Sequence, residues 1–113
     1  MRDETKWKQI VLPDLGIPTL INYDAHPDGF VRNRKTKYIH RRKKNNNKLA
    51  YFELHFGKRT IMLHKIIALM FVPNDDIINK TDIDHIDEIK TNNAANNLQW
   101  IVHSDNVKKN NHT

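Results

Sequence analysis

Cysteine is absent from the 113 residues of this chain. Neither disulfide bonds nor the thiolate zinc clusters that staple many small domains can therefore hold the fold. Seven histidines remain as nitrogen ligands, but those considered as zinc ligands (His40, His55, His64, His85 and His103) include no pair at helical i, i+4 spacing, which disfavours structural zinc. Packing and hydrogen bonding must stabilise the protein.

Long apolar runs are also missing. The longest, IIALMFV at residues 66–72, is far shorter than the ~20 residues that cross a bilayer, and the N-terminal MRDETKWKQ carries no apolar signal segment. Hydrophobic residues make up only 38% of the chain, and the mean hydropathy is -0.75. We therefore expect one compact unit with a modest core, cytoplasmic and without membrane contact.

Acidic residues are absent from a stretch that holds nearly half of the Lys and Arg residues. Residues 31–48, VRNRKTKYIHRRKKNNNK, contain nine Lys or Arg and no acid, whereas residues 75–88 contain six acids and one Lys. A basic track (residues 31–48) beside an acidic cluster suits a protein that grips a phosphate backbone and brings a divalent cation to it. A solvated loop explains residues 43–48 equally well. The predicted DNA contacts are Arg32, Arg34, Lys35, Lys37, Arg41 and Arg42.

Turn signals and alternation predict an antiparallel sheet in the first half of the chain. Asp28-Gly29 separates two short extended runs, and Gly57-Lys58 divides the alternating KLAYFELHFGKRTIML. The period then changes to that of a helix with one buried face, which should end at Pro73-Asn74. The apolar stripe of this helix consists of Leu63, Ile66, Ile67, Met70 and Phe71.

The second half predicts a strand, a loop, a strand and a helix. TDIDHID and NLQWIV are the two strands, Trp100 should lie in the core, and HSDNVKKNN begins a helix for which Ser104 is a plausible N-cap. The fold class is therefore α+β. Residues 1–60 should form a β-rich antiparallel module packed on the central helix, and residues 61–113 should contain this ββα unit.

Four segments in this order, LHKIIALMFVPN, DHID, NNAANNLQW and HSDN, resemble the HNH endonucleases of the phage and intron homing type. WKQI, DGFVRNRKT and RTIMLHKIIALMFVPN resemble the small β-rich module found ahead of such nucleases. The resemblance covers residues 6–107. It implies that the C-terminal unit is a ββα-metal HNH motif, and that the chain hydrolyses phosphodiester bonds of double-stranded DNA.

The resemblance also implies roles for individual residues. Asp84 and Asn106 would hold one divalent cation, Mg²⁺ or Mn²⁺, and His85 would act as the general base, oriented by Asn97. A histidine with an ordinary pKa near ~6.5 is mostly neutral at pH 7 and can accept a proton. Neighbouring residues on a regular strand face opposite sides, so we expect the strand to end or distort at Asp84-His85.

Three departures from the family pattern carry further expectations. Glu88-Ile89 replaces the usual Gly-Asn, so the loop must close differently, and Glu88 would add a carboxylate near the metal. His103 replaces a common arginine, which would make a catalytic phosphate contact pH-dependent. The chain ends at Thr113 without a C-terminal DNA-reading module, so we expect low target specificity unless a homodimer or a partner protein supplies it.

Three functions remain open from the sequence. The first is a homing-type HNH endonuclease in the host cell of a phage or mobile element. The second is a catalytically decayed DNA-binding protein on the same scaffold, and the third is an RNA-binding or protein-interacting inhibitor that uses the sheet face. His64, at the start of the central helix, is either a structural histidine or a phosphate contact.

Overall fold

Three small antiparallel sheets surround one helix in the computed structural model, which describes residues 2–44 and 51–110. The first sheet has the order β1 (Lys8–Gln9), β2 (Tyr23–His26) and β3 (Phe30–Asn33). Asp28-Gly29 lies in the predicted hairpin turn between β2 and β3. Gly29 has a φ of 99°, a conformation that favours glycine because a side chain is strained there.

The second sheet consists of β4 (Lys43–Lys44), β5 (Phe52–Phe56) and β6 (Arg59–Met62). Phe56 pairs with Arg59, which leaves Gly57-Lys58 as the predicted two-residue turn. The loop interpretation is wrong for Lys43–Lys44, because these residues pair with β5. Residues 45–48 of the basic track lie outside the described residues.

The central helix, α1 (Leu63–Phe71), follows β6 without an intervening residue and contacts strands of all three sheets. Its predicted apolar stripe forms the middle of the core. Complete burial of an aliphatic side chain contributes about 1.5–3 kcal/mol, so this stripe is a main source of stability. Leu63, Ile66 and Ile67 are 0% exposed, and Met70 and Phe71 pack against the same core.

A ββα unit completes the chain: β7 (Asp82–His85) pairs antiparallel with β8 (Leu98–Ile101), and α2 (His103–Asn110) follows. Trp100 packs against the core as predicted, and its Nε1 donates to the Val72 carbonyl at 3.0 Å. The Ser104 N-cap is wrong. Because β8 ends at Ile101, the chain turns at Val102, whose carbonyl accepts from the backbone N–H groups of Asp105 and Asn106.

The β-rich part and the ββα unit contact each other closely. The predicted boundary at residue 60 falls inside β6. The backbone N–H of Ala95 donates to the Pro27 carbonyl at 2.7 Å, and a Cβ on Gly29 would lie 2.8 Å from the backbone C and O of Asn93. The β2–β3 turn therefore supports the loop between β7 and β8. No helix within the described residues has the length and apolar character needed to cross a membrane.

Candidate active site

Strand β7 divides the candidate site into two sides. Asp82 and Asp84 face α2, where they contact His103 and Lys109 respectively. His85 faces the other way and packs against His64 at the start of α1. The strand ends at His85, as the sequence predicts. In the turn that follows, the backbone N–H of Glu88 donates to the carbonyl of His85.

The imidazole of His85 is held by one amide. Its Nε2 lies 2.8 Å from Oδ1 of Asn93, whose Nδ2 donates to the Thr91 carbonyl at 3.4 Å. With the amide in this orientation, Nε2 carries the proton and Nδ1 carries the lone pair. Nδ1 is buried and has no hydrogen-bond partner within the described residues. An unpaired buried nitrogen of this kind points to a functional role.

Burial lowers the pKa of His85 below its ordinary value, although the hydrogen bond that Nε2–H donates to Asn93 opposes this shift. The side chain is 1% exposed. Desolvation disfavours the charged imidazolium, so His85 is neutral at pH 7. A neutral ring with a fixed tautomer and a free Nδ1 can accept a proton.

The contact expected between Asn97 and His85 is wrong, because Asn93 occupies that place. Asn97 instead donates to Oδ1 of Asp87 and to the Asn92 carbonyl, both at 2.9 Å, and accepts from the Asp87 N–H at 3.1 Å. It therefore fixes the loop that carries Asn93. Sequence reasoning assigned Asn93 to a turn, whereas the structure buries it at 3% exposed against His85.

A second histidine and a tyrosine lie against His85. The ring centroids of His64 and His85 are 5.1 Å apart, and the Tyr51 ring lies 4.9 Å from His64 and 5.7 Å from His85. Burial, with smaller contributions from His85, Lys90 and Lys65, lowers the pKa of His64 to about 4. Its Nδ1 is also buried without a partner within the described residues. The cluster thus contains two neutral imidazoles.

On the α2 side, each aspartate is already hydrogen-bonded. Oδ2 of Asp82 accepts from His103 Nδ1 at 2.6 Å and from Asn106 Nδ2 at 3.0 Å. The Asn106 hydrogen bond, followed by that of His103, lowers the pKa of Asp82. The predicted phosphate contact His103 is thus paired with a carboxylate, and Asn106 contacts Asp82.

Asp84 is 2% exposed and binds two donors from its surroundings. Its Oδ2 accepts from Gln99 Nε2 at 2.7 Å and from Lys109 Nζ at 2.8 Å. Lys109 also approaches the His85 carbonyl at 3.3 Å. Sequence reasoning missed this lysine, because nothing in the HSDN segment indicates which later residue of α2 returns to β7.

The donor set between β7 and α2 suits a hard divalent cation. Asp82, Asp84 and Asn106 all offer oxygen atoms, the ligands that Mg²⁺ and Mn²⁺ prefer. No three His, Cys, Asp or Glu side chains within the described residues form a potential metal cluster, and Glu88 is exposed at its φ of 65°.

The predicted DNA contacts of the basic track differ in their surroundings. Nε of Arg32 lies 3.1 Å from Oδ2 of Asp24, and Nε of Arg34 lies 3.1 Å from Oδ1 of the same carboxylate. Arg32 also approaches Glu4 at 3.6 Å, so most of its charge is neutralised internally. Lys35, Lys37 and Arg41 are exposed, whereas Arg42 is half-buried.

Known proteins resemble this chain in sequence and in fold. No family model matches the sequence. The chain is 31% identical over 107 residues to an uncharacterized HNH endonuclease of Acanthamoeba polyphaga mimivirus, an alignment that covers 90% of this chain and 25% of that protein. The structure of the present chain is similar to that of the HNH homing endonuclease I-HmuI, which was solved in a study of DNA binding and cleavage. The TM-score is 0.70 and the sequence identity is 24%.

This structural match covers 91% of the chain and 56% of I-HmuI. The chain therefore spans about a quarter of the viral relative and just over half of the solved one. In both comparisons the similarity extends over the β-rich part as well as the ββα unit. The chain is therefore similar in sequence to part of a viral HNH endonuclease and in fold to part of an HNH homing endonuclease.

Proposed function

We propose that the chain is a divalent-metal-dependent DNA endonuclease in which His85 is the general base. The observation that carries this proposal is the environment of His85. Its Nε2 is bound by Asn93, its Nδ1 is unpaired, and its pKa is lowered by burial. The preceding residue, Asp84, is the buried carboxylate on the opposite face of β7, so the scissile phosphate would have to lie across the end of the strand to meet both side chains.

The chemical step needs a water molecule to lose a proton as its oxygen attacks phosphorus. Nδ1 of His85 accepts that proton, a new P–O bond forms, and the bond to the leaving oxygen breaks. General base catalysis of this kind contributes about 10²–10⁴-fold. Asn93 stabilises the resulting imidazolium by accepting from Nε2–H, which keeps the ring oriented throughout the step.

Asp84 and Asn106 would hold one cation, Mg²⁺ or Mn²⁺, with Asp82 beside them. When bound, the cation supplies positive charge that stabilises the negative charge developing on the phosphate oxygens. Lys109 already binds Oδ2 of Asp84, so its positive charge would oppose that of a cation held by the same carboxylate. His103, whose side chain is 72% exposed, would reach a phosphate only after separating from Asp82.

Double-stranded DNA is the substrate that the charge distribution supports best. The chain has a net charge of +6, and a polyanion attracts such a protein sequence-independently. An open groove of about 460 Å³ is lined by His40, Arg41, Lys43 and His55. We assign phosphate contacts to Arg34, Lys35, Lys37, Arg41 and Arg42, and a minor part to Arg32.

A monomer with one such site would nick DNA, whereas a homodimer or a complex with a partner protein would cut both strands. The substrate places the activity inside a cell, that of the host of a phage or mobile element.

Plasmid cleavage tests the proposal. Supercoiled plasmid is incubated with the protein in Mg²⁺ or in EDTA, and nicked and linear products are resolved on a gel. Cleavage should require the metal, and His85→Ala should reduce its rate by at least about 10²-fold. Lys58→Ala, which removes an exposed side chain in the β5–β6 turn outside the site, is the control. Equal cleavage by His85→Ala and the parent protein would contradict the role of His85.

One observation favours a second function, that of a catalytically decayed DNA-binding protein. The ammonium of Lys109 already satisfies Asp84, as it would in a protein that no longer binds a metal. This alternative gives salt-sensitive binding to the same plasmid without metal-dependent strand breaks, so the same assay separates the two.

A further inference from the structure

Arginine and aromatic side chains stack in series on the β-rich part. The guanidinium of Arg42 lies 4.8 Å from the ring centroid of Phe30 and 4.6 Å from that of Phe52. Arg2 lies 4.1 Å from the same Phe30 centroid and 5.9 Å from that of Trp7. One ring on β3 therefore holds two cations, at distances where cation–π attraction is effective.

These two arginines have no carboxylate partner within the described residues. Partial burial lowers the pKa of Arg42, and the nearby charge of Arg2 lowers it further. Both side chains remain charged, since an arginine in a protein stays protonated. Two like charges that are held together without a counter-ion repel each other, and an anion bound between them would relieve that repulsion.

Other arginines of the fold show the contrast. Arg32 also stacks on an aromatic ring, that of Trp7 at 4.3 Å, but its charge is paired with Asp24 and Glu4. The terminal N–H groups of Arg59 donate to the carbonyls of Gly16 and Leu15. Stacking occupies only the flat faces of a guanidinium. The N–H edges of Arg2 and Arg42 stay free for an acceptor with two oxygens, and a phosphate matches that geometry.

We propose that Arg2 and Arg42, held over the Phe30 ring, form a clamp for phosphate groups of the DNA backbone. The clamp rests on the proposed function, because it adds a backbone contact to the same substrate. Phe52, which stacks on Arg42, directly follows Tyr51, whose ring packs against His64 and His85. Neighbouring residues of the chain thus contact the clamp and the candidate active site.

The salt dependence of DNA binding tests the clamp. A fluorescent duplex is titrated in EDTA at several salt concentrations, and the slope of log K against log salt is compared among variants. Arg2→Met and Arg42→Met should each reduce the magnitude of this slope by about 0.9, the value for one phosphate contact. Lys58→Met, which removes an exposed charge in the β5–β6 turn, should leave the slope unchanged.

Lysine variants keep the measurement informative if a methionine variant unfolds. Arg2→Lys and Arg42→Lys keep the charge and should retain the slope, but they should bind more weakly because lysine lacks the planar fork. Circular dichroism confirms folding in each case.

Slopes of Arg2→Met and Arg42→Met equal to that of Lys58→Met, in a parent protein that binds and cleaves DNA, overturn the clamp alone. If the parent protein fails to bind duplex DNA at all, the clamp and the proposed function fall together.

Discussion

Nζ of Lys109 lies 2.8 Å from Oδ2 of Asp84, a carboxylate that is 2% exposed. A buried carboxylate needs a partner, because an unpaired buried charge is strongly unfavourable. Lys109 meets that need from the last turns of α2. It also puts a positive charge on the carboxylate that we propose as a cation ligand, so the lysine would oppose metal binding at Asp84.

Lys109→Met should therefore bind Mn²⁺ several-fold more tightly than the parent protein, measured by isothermal titration calorimetry. In EDTA the free energy of unfolding of this variant should be about 1–3 kcal/mol lower than that of the parent protein, because Asp84 loses a charge-assisted hydrogen bond. Mn²⁺ should restore that loss. Lys108→Met, at an exposed neighbouring position, is the control. Weaker Mn²⁺ binding by Lys109→Met would show that the lysine supports the cation.

Asn93 and Asn97 should differ in what their loss affects. Asn93→Ala leaves Nε2–H of His85 without an acceptor, so kcat should fall by about 10–100-fold with little change in KM. Asn97→Ala removes three hydrogen bonds from the loop and should lower the free energy of unfolding by about 1–3 kcal/mol. Asn96→Ala, at an exposed position, should change neither quantity. A kcat loss in Asn97→Ala alone, at full stability, would return the orienting role to Asn97.

The contact between the β2–β3 turn and the Asn93 loop can be isolated with two glycine variants. Gly57→Ala places a Cβ in open space at a φ of 62° and should cost about 1 kcal/mol of backbone strain. Gly29→Ala adds a clash with the Asn93 backbone, which should cost a further ~1–3 kcal/mol and reduce cleavage. Thermal unfolding and plasmid cleavage measure both effects. Identical behaviour of the two variants would mean that the turn does not support the loop.

His64 should make stability depend on pH. Its pKa is about 4 in the folded chain and near the ordinary 6.5 when unfolded, so the unfolded state binds the proton first as pH falls. The contribution of neutral His64 to the free energy of unfolding should be fully present above pH 6.5. It should decrease as the pH falls towards 4, by roughly 3 kcal/mol at most. His64→Gln should flatten this part of the profile in urea titrations, whereas His55→Gln should not. A profile unchanged by His64→Gln would assign the effect to another group.

Glu88 has a φ of 65°, at the position where the family pattern favours Gly-Asn. Such a conformation costs a residue with a side chain about 1 kcal/mol. Glu88→Gly should therefore raise the free energy of unfolding, while Glu88→Ala, which keeps the strain, should not. Chemical denaturation distinguishes the two. Equal stabilisation by both variants would identify the charge of Glu88, rather than its backbone, as the cause.

Features that depend on neighbouring residues were predictable from the sequence. The turns at Asp28-Gly29 and Gly57-Lys58 and the buried stripe of α1 follow from local chemistry and periodicity, and the structure confirms them. The end of β7 at His85 is confirmed as well, but the pairing stays regular up to that residue, so Asp84 and His85 keep opposite faces.

Contacts between distant segments were not predictable in the same way. Several asparagines lie in one short loop, and composition does not tell which of them turns towards His85. The structure selects Asn93 because the loop is supported from outside by Gly29 and Pro27. Lys109 escaped prediction for a similar reason, since its partner lies 25 residues earlier in the chain.

The division of β7 into two faces also affects how such a protein can diverge. Substitutions on α2 change the surroundings of Asp82 and Asp84, while those on α1 and in the β7–β8 loop change the surroundings of His85. Because a strand backbone separates these two neighbourhoods, ion preference and proton affinity can drift independently during evolution. A lineage could therefore exchange one metal for another while inheriting its base intact.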